Sequence, residues 1–275
     1  MASLATDAVV IVVPFRDLGD GVREAQLRTF LDAMHDFRVV VVEQSNDGAK
    51  FNRGSLLNVG SRLVGDASAT VTLIFHDVDL VPSDRLKAMY RERPAAPGKV
   101  VHYGASFTRY PSPSYLGGCI AVNGLDFREK LNGFSNLFWG WGGEDDDFRE
   151  RIRARKLKVE RVVGESFVDL EDMTLDRKLQ YLRENPSLKC HDKWECRDAA
   201  RALGIRGDGV ATVQFIETRR LPPLRSGHEH VVVDLLRGHA AENRESVGST
   251  PAKKICDNTQ HLEAASNDDF ESAHE

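Results

Sequence analysis

Residues 70–79 read TVTLIFHDVD, and the first six of them form an apolar run that leads into two aspartates. A continuous run of this kind is typical of a strand that is buried on both faces of a sheet. Similar runs lie at Ala8–Pro14 and Phe37–Glu43, and helical patterns at Arg23–Met34 and Ser55–Val64 separate the three runs. Because strands alternate with helices, the sequence predicts an α/β fold with a parallel, doubly wound sheet.

The second half of the chain has a less regular pattern. Residues 91–118 are rich in Pro, Gly, Ser and Tyr, which predicts loops over an edge of the sheet. The remaining predicted strands are Leu116–Val122, Val159–Val163, Val210–Glu217 and His230–Leu236. The remaining predicted helices are Leu125–Leu131, Phe148–Arg155, Arg177–Glu184 and Trp194–Leu203. We therefore expect a single domain over residues 1–236.

Charge is unevenly distributed along the chain. The 275 residues include 37 basic and 42 acidic ones, and residues 238–275 hold three of the basic and eight of the acidic residues. The rest of the chain is neutral, which argues against binding to nucleic acid or to an anionic membrane. No apolar run approaches the ~18 residues of a membrane span, so we expect a soluble protein. The acidic segment 237–275 is predicted to be disordered, because it has too little apolar surface to bury.

The two aspartates after the apolar run form the first candidate site. Asp77 and Asp79 stand at the carboxyl end of a predicted strand, where ligands collect in open α/β sheets. Two carboxylates at this spacing can hold a hard divalent cation, which in turn can hold a diphosphate. The alternative is a solvated turn at the end of a strand.

Residues 138–147 read FWGWGGEDDD and form the second candidate site. Four adjacent carboxylates repel one another, and this repulsion raises some of their pKa values. The three glycines let the backbone approach a ligand or move, and an indole face suits the C–H face of a sugar. A helix N-terminus would also explain Asp145–Asp147, but it would not explain the tryptophans and glycines before them. The stretch therefore indicates a functional loop.

Asp169 and Glu171 form the third candidate site. If their segment is extended, both side chains face the same way and can complete a metal shell that Asp79 begins. A solvated loop is an equally good interpretation of these acidic residues.

The four cysteines are too few for a disulfide scaffold in a chain of this length. Cys190 and Cys196 flank His191 in the manner of a metal cluster, but their spacing does not match a zinc knuckle and no second pair exists. We interpret them as two structural thiols on a helical segment.

Six motifs, in order along the chain, resemble those of the β-1,4-galactosyltransferases. Their residues are Val13–Arg16; Phe51–Gly54 with Leu56–Gly60; Phe75–Leu80; Tyr115–Gly118; Asn132–Asn136 leading into Trp139–Asp146; and Asp208–Val210 with Thr212 and Val213. The resemblance covers residues 10–236, and the motif with the sequence WGWGGEDD is the most specific of the six.

The resemblance implies a GT-A fold, in which a Rossmann-like nucleotide-binding sheet carries helices on both faces beside a smaller acceptor part. Residues 8–90 would form the nucleotide-sugar half and residues 91–236 the acceptor half. The implied reaction is Mn²⁺-dependent, inverting transfer of galactose from UDP-galactose to a sugar hydroxyl in β-1,4 linkage. The charged segment after Val163 favours the branch with xylose acceptors. Two alternatives stay open: another donor such as UDP-GalNAc or UDP-glucose, and a non-catalytic binding protein with a degraded metal site.

The resemblance also assigns roles to residues of this sequence. The implied donor-binding residues are Pro14, Phe15, Arg16, Phe51, Arg53, Asp77, Val78, Trp141 and Gly142. The implied metal ligands are Asp79, Asp169 and Glu171. The implied acceptor residues are Tyr115, Gly118, Glu144 and Asp145, with Asp145 as the general base.

The sequence departs from the family pattern at three places. Leu18 stands where the first motif usually has a basic or polar residue. Asp169 and Glu171 stand where the family has histidine, which still suits a hard cation but adds negative charge near the diphosphate. The membrane anchor and stem of the Golgi enzymes are missing, so we expect a location in the cytoplasm, or in the Golgi lumen if an anchor was removed. We also expect a monomer.

Overall fold

The computed structural model describes residues 8–65, 70–92, 94–107, 109–110 and 112–237. Apart from Arg237, the segment that the sequence predicts to be disordered lies outside these residues.

Eight strands form one sheet in the order β7-β5-β6-β3-β1-β2-β10-β9, and β4 pairs with β8 in a separate two-stranded sheet. The strands are β1 (Val9–Phe15), β2 (Arg38–Gln44), β3 (Thr72–His76), β4 (Leu80–Pro82), β5 (Lys99–His102), β6 (Cys119–Asn123), β7 (Lys158–Arg161), β8 (Phe167–Asp169), β9 (Phe215–Leu221) and β10 (His228–Leu235). Every residue of β1 and β3 is buried, as their continuous apolar sequences predict.

The large sheet is mixed: the parallel pairing predicted from the first half of the chain is confirmed for β1, β2 and β3, whereas β6 and β9 are antiparallel to their neighbours. Strand β1 runs parallel to β2 and β3, and β10 runs parallel to β2. Strand β6 runs antiparallel to both β3 and β5, and β9 runs antiparallel to β10. The short connection from β9 to β10 contains no crossover helix, and a chain that returns without one pairs antiparallel.

Helices cover both faces of the sheet, which confirms that part of the prediction. The α-helices are α1 (Val22–Ala33), α2 (Arg53–Leu63), α3 (Asp84–Glu92), α4 (Glu144–Ala154), α5 (Leu175–Glu184) and α6 (Lys193–Gly207). Helices α2 and α4 pack on the face that carries Val10 and Val12. Helices α1 and α3 pack on the opposite face, which carries Ile11 and Val13. Alternation along β1 thus places its side chains in two separate cores.

Three predicted boundaries differ from the structure. Strand β5 lies within residues 91–118, where loops were predicted. It was missed because its four residues lie between segments rich in Pro and Gly. Helix α4 begins at Glu144 and not at Phe148, since acidic residues are favoured in the first turn of a helix. Strand β9 begins at Phe215 and not at Val210, because the N–H of Val213 closes a turn onto the Gly209 carbonyl at 2.9 Å.

None of the helices in the described part of the chain has the length and hydropathy to cross a membrane.

Candidate active site

Arg53 lies at the centre of one cluster of acidic side chains. It is the first residue of α2, and its Nε donates a hydrogen bond to Asp77 Oδ1 at 2.8 Å. Its Nη1 donates to Asp145 Oδ1 at 3.0 Å and lies 3.9 Å from Glu144 Oε1. Asp77 follows β3, whereas Glu144 and Asp145 begin α4. The fold therefore joins the first two candidate sites, and we call these four residues the Arg53 cluster.

The position of Arg53 is set by the start of α2. Asn52 caps this helix, because its side-chain oxygen accepts a hydrogen bond from the Ser55 N–H at 2.9 Å. The side-chain amide of Asn52 also donates to the Asn136 carbonyl at 2.8 Å, which ties α2 to the segment before the tryptophans. Arg53 Nη2 is buried and has no hydrogen-bond partner among the described residues. A buried N–H group without a partner is costly, so this atom is suited to a bound anion.

Burial raises the pKa of Glu144 and of Asp145, the first two residues of α4. For Asp145, the charges of Glu144 and Asp77 add to the effect of burial, whereas Arg53 opposes it. The pKa of Asp145 is therefore well above its usual range, and the pKa of Glu144 is also raised. The Asp145 side chain is still 26% exposed, so a ligand can reach it. Such a carboxylate is suited to accept a proton near neutral pH.

The loop from Tyr115 to Gly118 lies against Asp145. A Cβ atom at Gly117 would come within 2.4 Å of Asp145 Oδ2, so a larger residue would displace this carboxylate. The buried side chain of His102 fixes the loop, with Nε2 2.9 Å from the Gly117 carbonyl oxygen. Burial and then the charge of Asp145 raise the pKa of Tyr115 well above its usual range. The predicted acceptor residues in this loop thus lie beside the predicted base.

A second cluster surrounds Asp79. Arg23 Nη1 is 3.2 Å from Asp79 Oδ2, and Arg23 Nη2 is 3.3 Å from Glu171 Oε1. Glu171 also pairs with Lys178 Nζ and with Arg109 Nη1, each at 2.5 Å. Arg109 pairs with Asp169 as well. The Asp79 cluster comprises Arg23, Asp79, Arg109, Asp169, Glu171 and Lys178.

The pairing of β4 with β8 assembles this cluster. Leu80 lies opposite Asp169 in the two strands, and the Leu170 N–H donates to the Asp79 carbonyl at 2.8 Å. The third candidate site is therefore brought beside the first, as the sequence predicts. Burial alone would raise the pKa of Glu171, but the three neighbouring cations lower it. Burial raises the pKa of Asp79 despite its contact with Arg23.

The Asp79 cluster has the type of ligand that a hard divalent cation prefers, but its three carboxylates do not, as they stand, bring ligand atoms within 4.8 Å of one another. Three carboxylates supply the oxygen atoms that Mn²⁺ and Mg²⁺ prefer. The guanidinium of Arg23 already bridges Asp79 and Glu171, and so stands in for a cation between them. A divalent ion at this position would displace Arg23.

The tryptophan loop, residues 138–143, is attached to two segments, because the Gly140 N–H donates to the Phe51 carbonyl at 2.7 Å and Trp141 bonds to the segment before α6. The Trp141 N–H donates to the Leu188 carbonyl at 2.7 Å, and the Cys190 N–H donates to the Trp141 carbonyl at 3.0 Å. The Trp141 side chain is 41% exposed. Gly142 has a φ of 106°, and a Cβ atom there would meet nothing within 4 Å. The structure thus leaves both residues beside open space, and their roles toward the donor stay predictions.

The predicted donor residues outside the Arg53 cluster and the tryptophan loop differ in whether their side chains can reach a ligand. The Arg16 guanidinium lies 5.5 Å from the centre of the Phe51 ring, and its Nη1 donates to the Ala49 carbonyl at 2.8 Å. Arg16 Nε is buried without a hydrogen-bond partner in the described part of the chain, which suits it to an anion. Pro14, Phe15 and Val78 are buried, and the Phe15 and Val78 side chains pack in the core. Their side chains are therefore not free to stack on a nucleotide, and any donor contact must come from their backbone.

Asp147 has a structural role. Its Oδ2 accepts from Arg151 Nε at 2.7 Å, and Arg151 Nη2 donates to Asp208 Oδ2 at 2.9 Å. These three side chains are at most 10% exposed. The buried network ties α4 to the motif at Asp208, so Asp147 supports the fold.

Sequence reasoning missed the three cations of the Asp79 cluster. Arg23 and Glu171 are 148 residues apart, and Arg109 lies 62 residues before Glu171. Local patterns do not report contacts over such distances. The sequence did contain one signal of these cations. Asp169 and Glu171 stand where the family has neutral histidines, and two carboxylates there require positive charge nearby.

Comparison with known proteins gives concordant matches. Residues 2–91 match the model of the N-terminal region of glycosyl transferase group 7, and residues 100–174 match that of the N-terminal domain of galactosyltransferase. The chain is 37% identical over 169 residues to human β-1,4-galactosyltransferase 4, and 37% identical over 163 residues to human β-1,4-galactosyltransferase 3. The chain belongs to the β-1,4-galactosyltransferase family.

The alignments with these family members are partial. The match to human β-1,4-galactosyltransferase 4 covers 58% of this chain and 47% of the relative. The chain therefore spans about half the length of that relative. The comparisons lend no support to the predicted cytoplasmic location.

A solved structure of the family shows the same fold. The catalytic domain of Drosophila β-1,4-galactosyltransferase 7, solved in complex with xylobiose, superposes with a TM-score of 0.62. The sequences are 24% identical, and the match covers 88% of this chain and 99% of the Drosophila domain. A mutant of the same enzyme, solved with manganese, UDP-Gal and xylobiose, gives the same TM-score. The predicted GT-A fold is thereby confirmed.

Proposed function

We propose that this chain transfers galactose from UDP-galactose to a hydroxyl group of a sugar acceptor, with inversion at the anomeric carbon. The observation that carries the proposal is the position of Asp145. Its carboxylate lies against Gly117, accepts a hydrogen bond from Arg53 at 3.0 Å and is partly exposed. Family membership and the adjacent Asp77 and Asp79 support the same activity.

Asp145 acts as the general base in this reaction. It takes the proton of the acceptor hydroxyl while the acceptor oxygen forms a bond to the anomeric carbon of galactose. The bond from that carbon to the diphosphate oxygen breaks, and UDP leaves with the bonding electron pair. Burial and neighbouring charges raise the pKa of Asp145, which strengthens it as a base, and a single base on the acceptor side suffices for inversion.

Two arginines provide donors for the leaving diphosphate. Arg53 Nη2 and Arg16 Nε are buried N–H groups without partners among the described residues. Arg53 also holds Asp77 and Asp145 at the same time, so one residue fixes the base relative to the nucleotide side of the site. Planar guanidinium groups suit phosphate oxygens because they offer parallel N–H donors.

Asp79, Asp169 and Glu171 would hold Mn²⁺, once Arg23 has withdrawn from two of them. When bound, this ion supplies positive charge that offsets the negative charge developing on the departing diphosphate. The Drosophila structure with manganese and UDP-Gal supports the choice of ion and donor. The same structure contains xylobiose, which supports a xyloside as the acceptor.

A second candidate is a sugar- or nucleotide-binding protein without transferase activity. The observation that favours it is the charge balance of the Asp79 cluster, where three cations already neutralise three carboxylates. The retained Asp145, in a pocket that raises its pKa, favours the transferase.

Calorimetric titration of UDP tests the donor site. We expect binding in Mn²⁺, weaker binding after chelation, and no response to Mn²⁺ in Asp79→Ala. Turnover is then measured with UDP-galactose, UDP-GalNAc and UDP-glucose against xylosides and N-acetylglucosaminides. UDP binding without transfer from any of these donors would select the second candidate. Absence of UDP binding under all conditions would overturn the transferase and leave only a sugar-binding form of the second candidate.

A further inference from the structure

Two thiols and a carboxylate converge beside the tryptophan loop. Ligand atoms of Cys190, Asp192 and Cys196 all lie within 4.8 Å of one another. Cys190 Sγ is 3.6 Å from Asp192 Oδ1, and the two sulfur atoms are not joined in a disulfide bond. We call these three residues the thiol cluster, and it shares no residue with the Arg53 cluster or the Asp79 cluster.

The start of α6 builds this arrangement. Cys190 precedes the helix, and the Cys196 N–H donates to the Asp192 carbonyl at 2.8 Å in its first turn. Cys190 therefore does not lie on a helix, which corrects the interpretation of two thiols on one helical segment. Both cysteines are 4% exposed, whereas Asp192 is exposed, so the cluster is closed on the protein side and open toward solvent.

Packing explains part of this geometry. The two cysteines form a small apolar cluster with Phe138, as buried thiols often do. Packing does not require a carboxylate to face both sulfur atoms.

We propose that Cys190, Asp192 and Cys196 bind a divalent cation of the zinc class, with water in the fourth position. Thiolate ligands select Zn²⁺ over Mn²⁺, since sulfur is soft and Mn²⁺ prefers oxygen. Binding releases the thiol protons to solvent, and no oxidation is involved. The site is therefore distinct in chemistry from the carboxylate site around Asp79.

The bound ion fastens the tryptophan loop to α6. Cys196 Sγ donates to the Leu137 carbonyl at 3.3 Å, immediately before the loop. The Cys190 N–H donates to the Trp141 carbonyl, at its middle. A Cβ atom at Gly140 would come within 2.7 Å of Cys190 N, so the two chain segments are in close contact. When the Cys196 thiol gives up its proton to bind the ion, it no longer donates to Leu137, but the contact of the Cys190 N–H with Trp141 involves no thiol proton. An ion that joins Cys190 to Cys196 therefore fastens Trp141, through Cys190, to α6.

Titration of the full chain with Co²⁺, followed by displacement with Zn²⁺, tests the proposal. We expect one equivalent of Co²⁺ to give thiolate-to-metal charge-transfer absorption, which Zn²⁺ removes. The double variant Cys190→Ser/Cys196→Ser loses this absorption, and Asp192→Asn weakens Zn²⁺ binding by about tenfold or more. Asp192 is exposed, so its variant folds even if the double variant does not. Cys256→Ser is the matched control and keeps the full signal.

A second readout addresses the loop. Zn²⁺ is expected to raise the melting temperature and to slow proteolysis of the tryptophan loop in the unaltered chain, with neither effect in the double variant. The proposal is overturned if charge-transfer absorption is absent or persists in the double variant. It is also overturned if the purified chain holds a Cys190–Cys196 disulfide that excludes the cation. None of these readouts depends on galactosyl transfer.

Discussion

The Arg53 cluster and the Asp79 cluster each contain three carboxylates, but different numbers of cations face them. In the Arg53 cluster a single guanidinium faces Asp77, Glu144 and Asp145. In the Asp79 cluster, three cations face Asp79, Asp169 and Glu171. The first cluster therefore carries an excess of two negative charges, and the second is balanced.

This difference in charge determines what the carboxylates can do. Burial acts on both clusters in the same direction, because it disfavours the charged form. In the Arg53 cluster the excess negative charge adds to burial, and the pKa of Asp145 is raised. In the Asp79 cluster three cations outweigh burial at Glu171, whose pKa is lowered, whereas burial outweighs Arg23 at Asp79, whose pKa is raised. The Arg53 cluster therefore suits proton transfer at Asp145, and the Asp79 cluster favours the charged form only at Glu171.

The largest expected effect is the loss of transfer in Asp145→Asn. An asparagine of the same shape accepts no proton, so kcat should fall by about 10²–10⁴-fold. UDP binding should be retained, because the nucleotide side is unchanged. Asp146→Asn, on the same turn with a side chain 53% exposed, is the control and should stay within about threefold of the unaltered chain. Equal loss in both variants would remove Asp145 from its role as base.

The second effect is on stability. Glu171→Gln leaves three cations without their shared carboxylate, and loss of one partner of a buried ion pair costs about 3–5 kcal/mol. Chemical denaturation measures this cost. Glu184→Gln, on an exposed surface of α5, should change the free energy of unfolding by less than about 0.5 kcal/mol. Similar values for the two variants would show that Glu171 does not hold the cations.

The pH dependence of this stability has a definite sign. The folded-state pKa of Glu171 is lower than the ordinary glutamate value of 4.5. Its contribution is therefore complete above that value, and it is lost as the pH falls through the lowered folded-state pKa. The stability difference between Glu171→Gln and the unaltered chain should shrink on acidification below about pH 4.5.

A smaller effect is expected on metal affinity. Arg23→Met releases Asp79 and Glu171 from a guanidinium, so Mn²⁺ should bind about tenfold more tightly, a gain of about 1.4 kcal/mol. Calorimetry of Mn²⁺ binding without nucleotide measures this gain. Arg28→Met, on the same helix with a side chain 67% exposed, should leave the affinity unchanged. Weaker binding in Arg23→Met would mean that the arginine supports the ion and does not compete with it.

The smallest effect is a shift in the pH profile of transfer. Asp145 must be deprotonated to act, so activity falls as the pH drops through its pKa. Glu144→Gln removes one of the charges that raise this pKa, and the acidic limb should move to lower pH. Asp198→Asn, with a side chain 79% exposed on α6, should leave the limb in place. An unmoved limb in Glu144→Gln would assign it to another group.

The features that could be predicted from the sequence belong to contiguous patterns, and among them the buried strands are confirmed, whereas the roles of the site residues stay predictions. The buried strands β1 and β3 follow from unbroken apolar runs, and Asp77, Asp79 and Asp145 follow from short motifs beside them. Phe15 shows the limit of this reasoning, because it belongs to the donor motif and yet its ring packs in the core. The direction of β6 and β9 was also not readable, since apolar alternation does not encode strand direction.

The sequence by itself determined the α/β class, the two acidic motifs and the membership of a family, because each depends on residues that are neighbours along the chain. Only the tertiary structure decided that Arg53 joins the motifs, that three distant cations balance the Asp79 cluster, and that Asp192 faces two thiols. The first two sets of contacts join residues that are far apart in the chain. The third depends on how the start of α6 places Asp192. Coulomb energy depends on distance in space and on burial, and neither is written in the local order of residues.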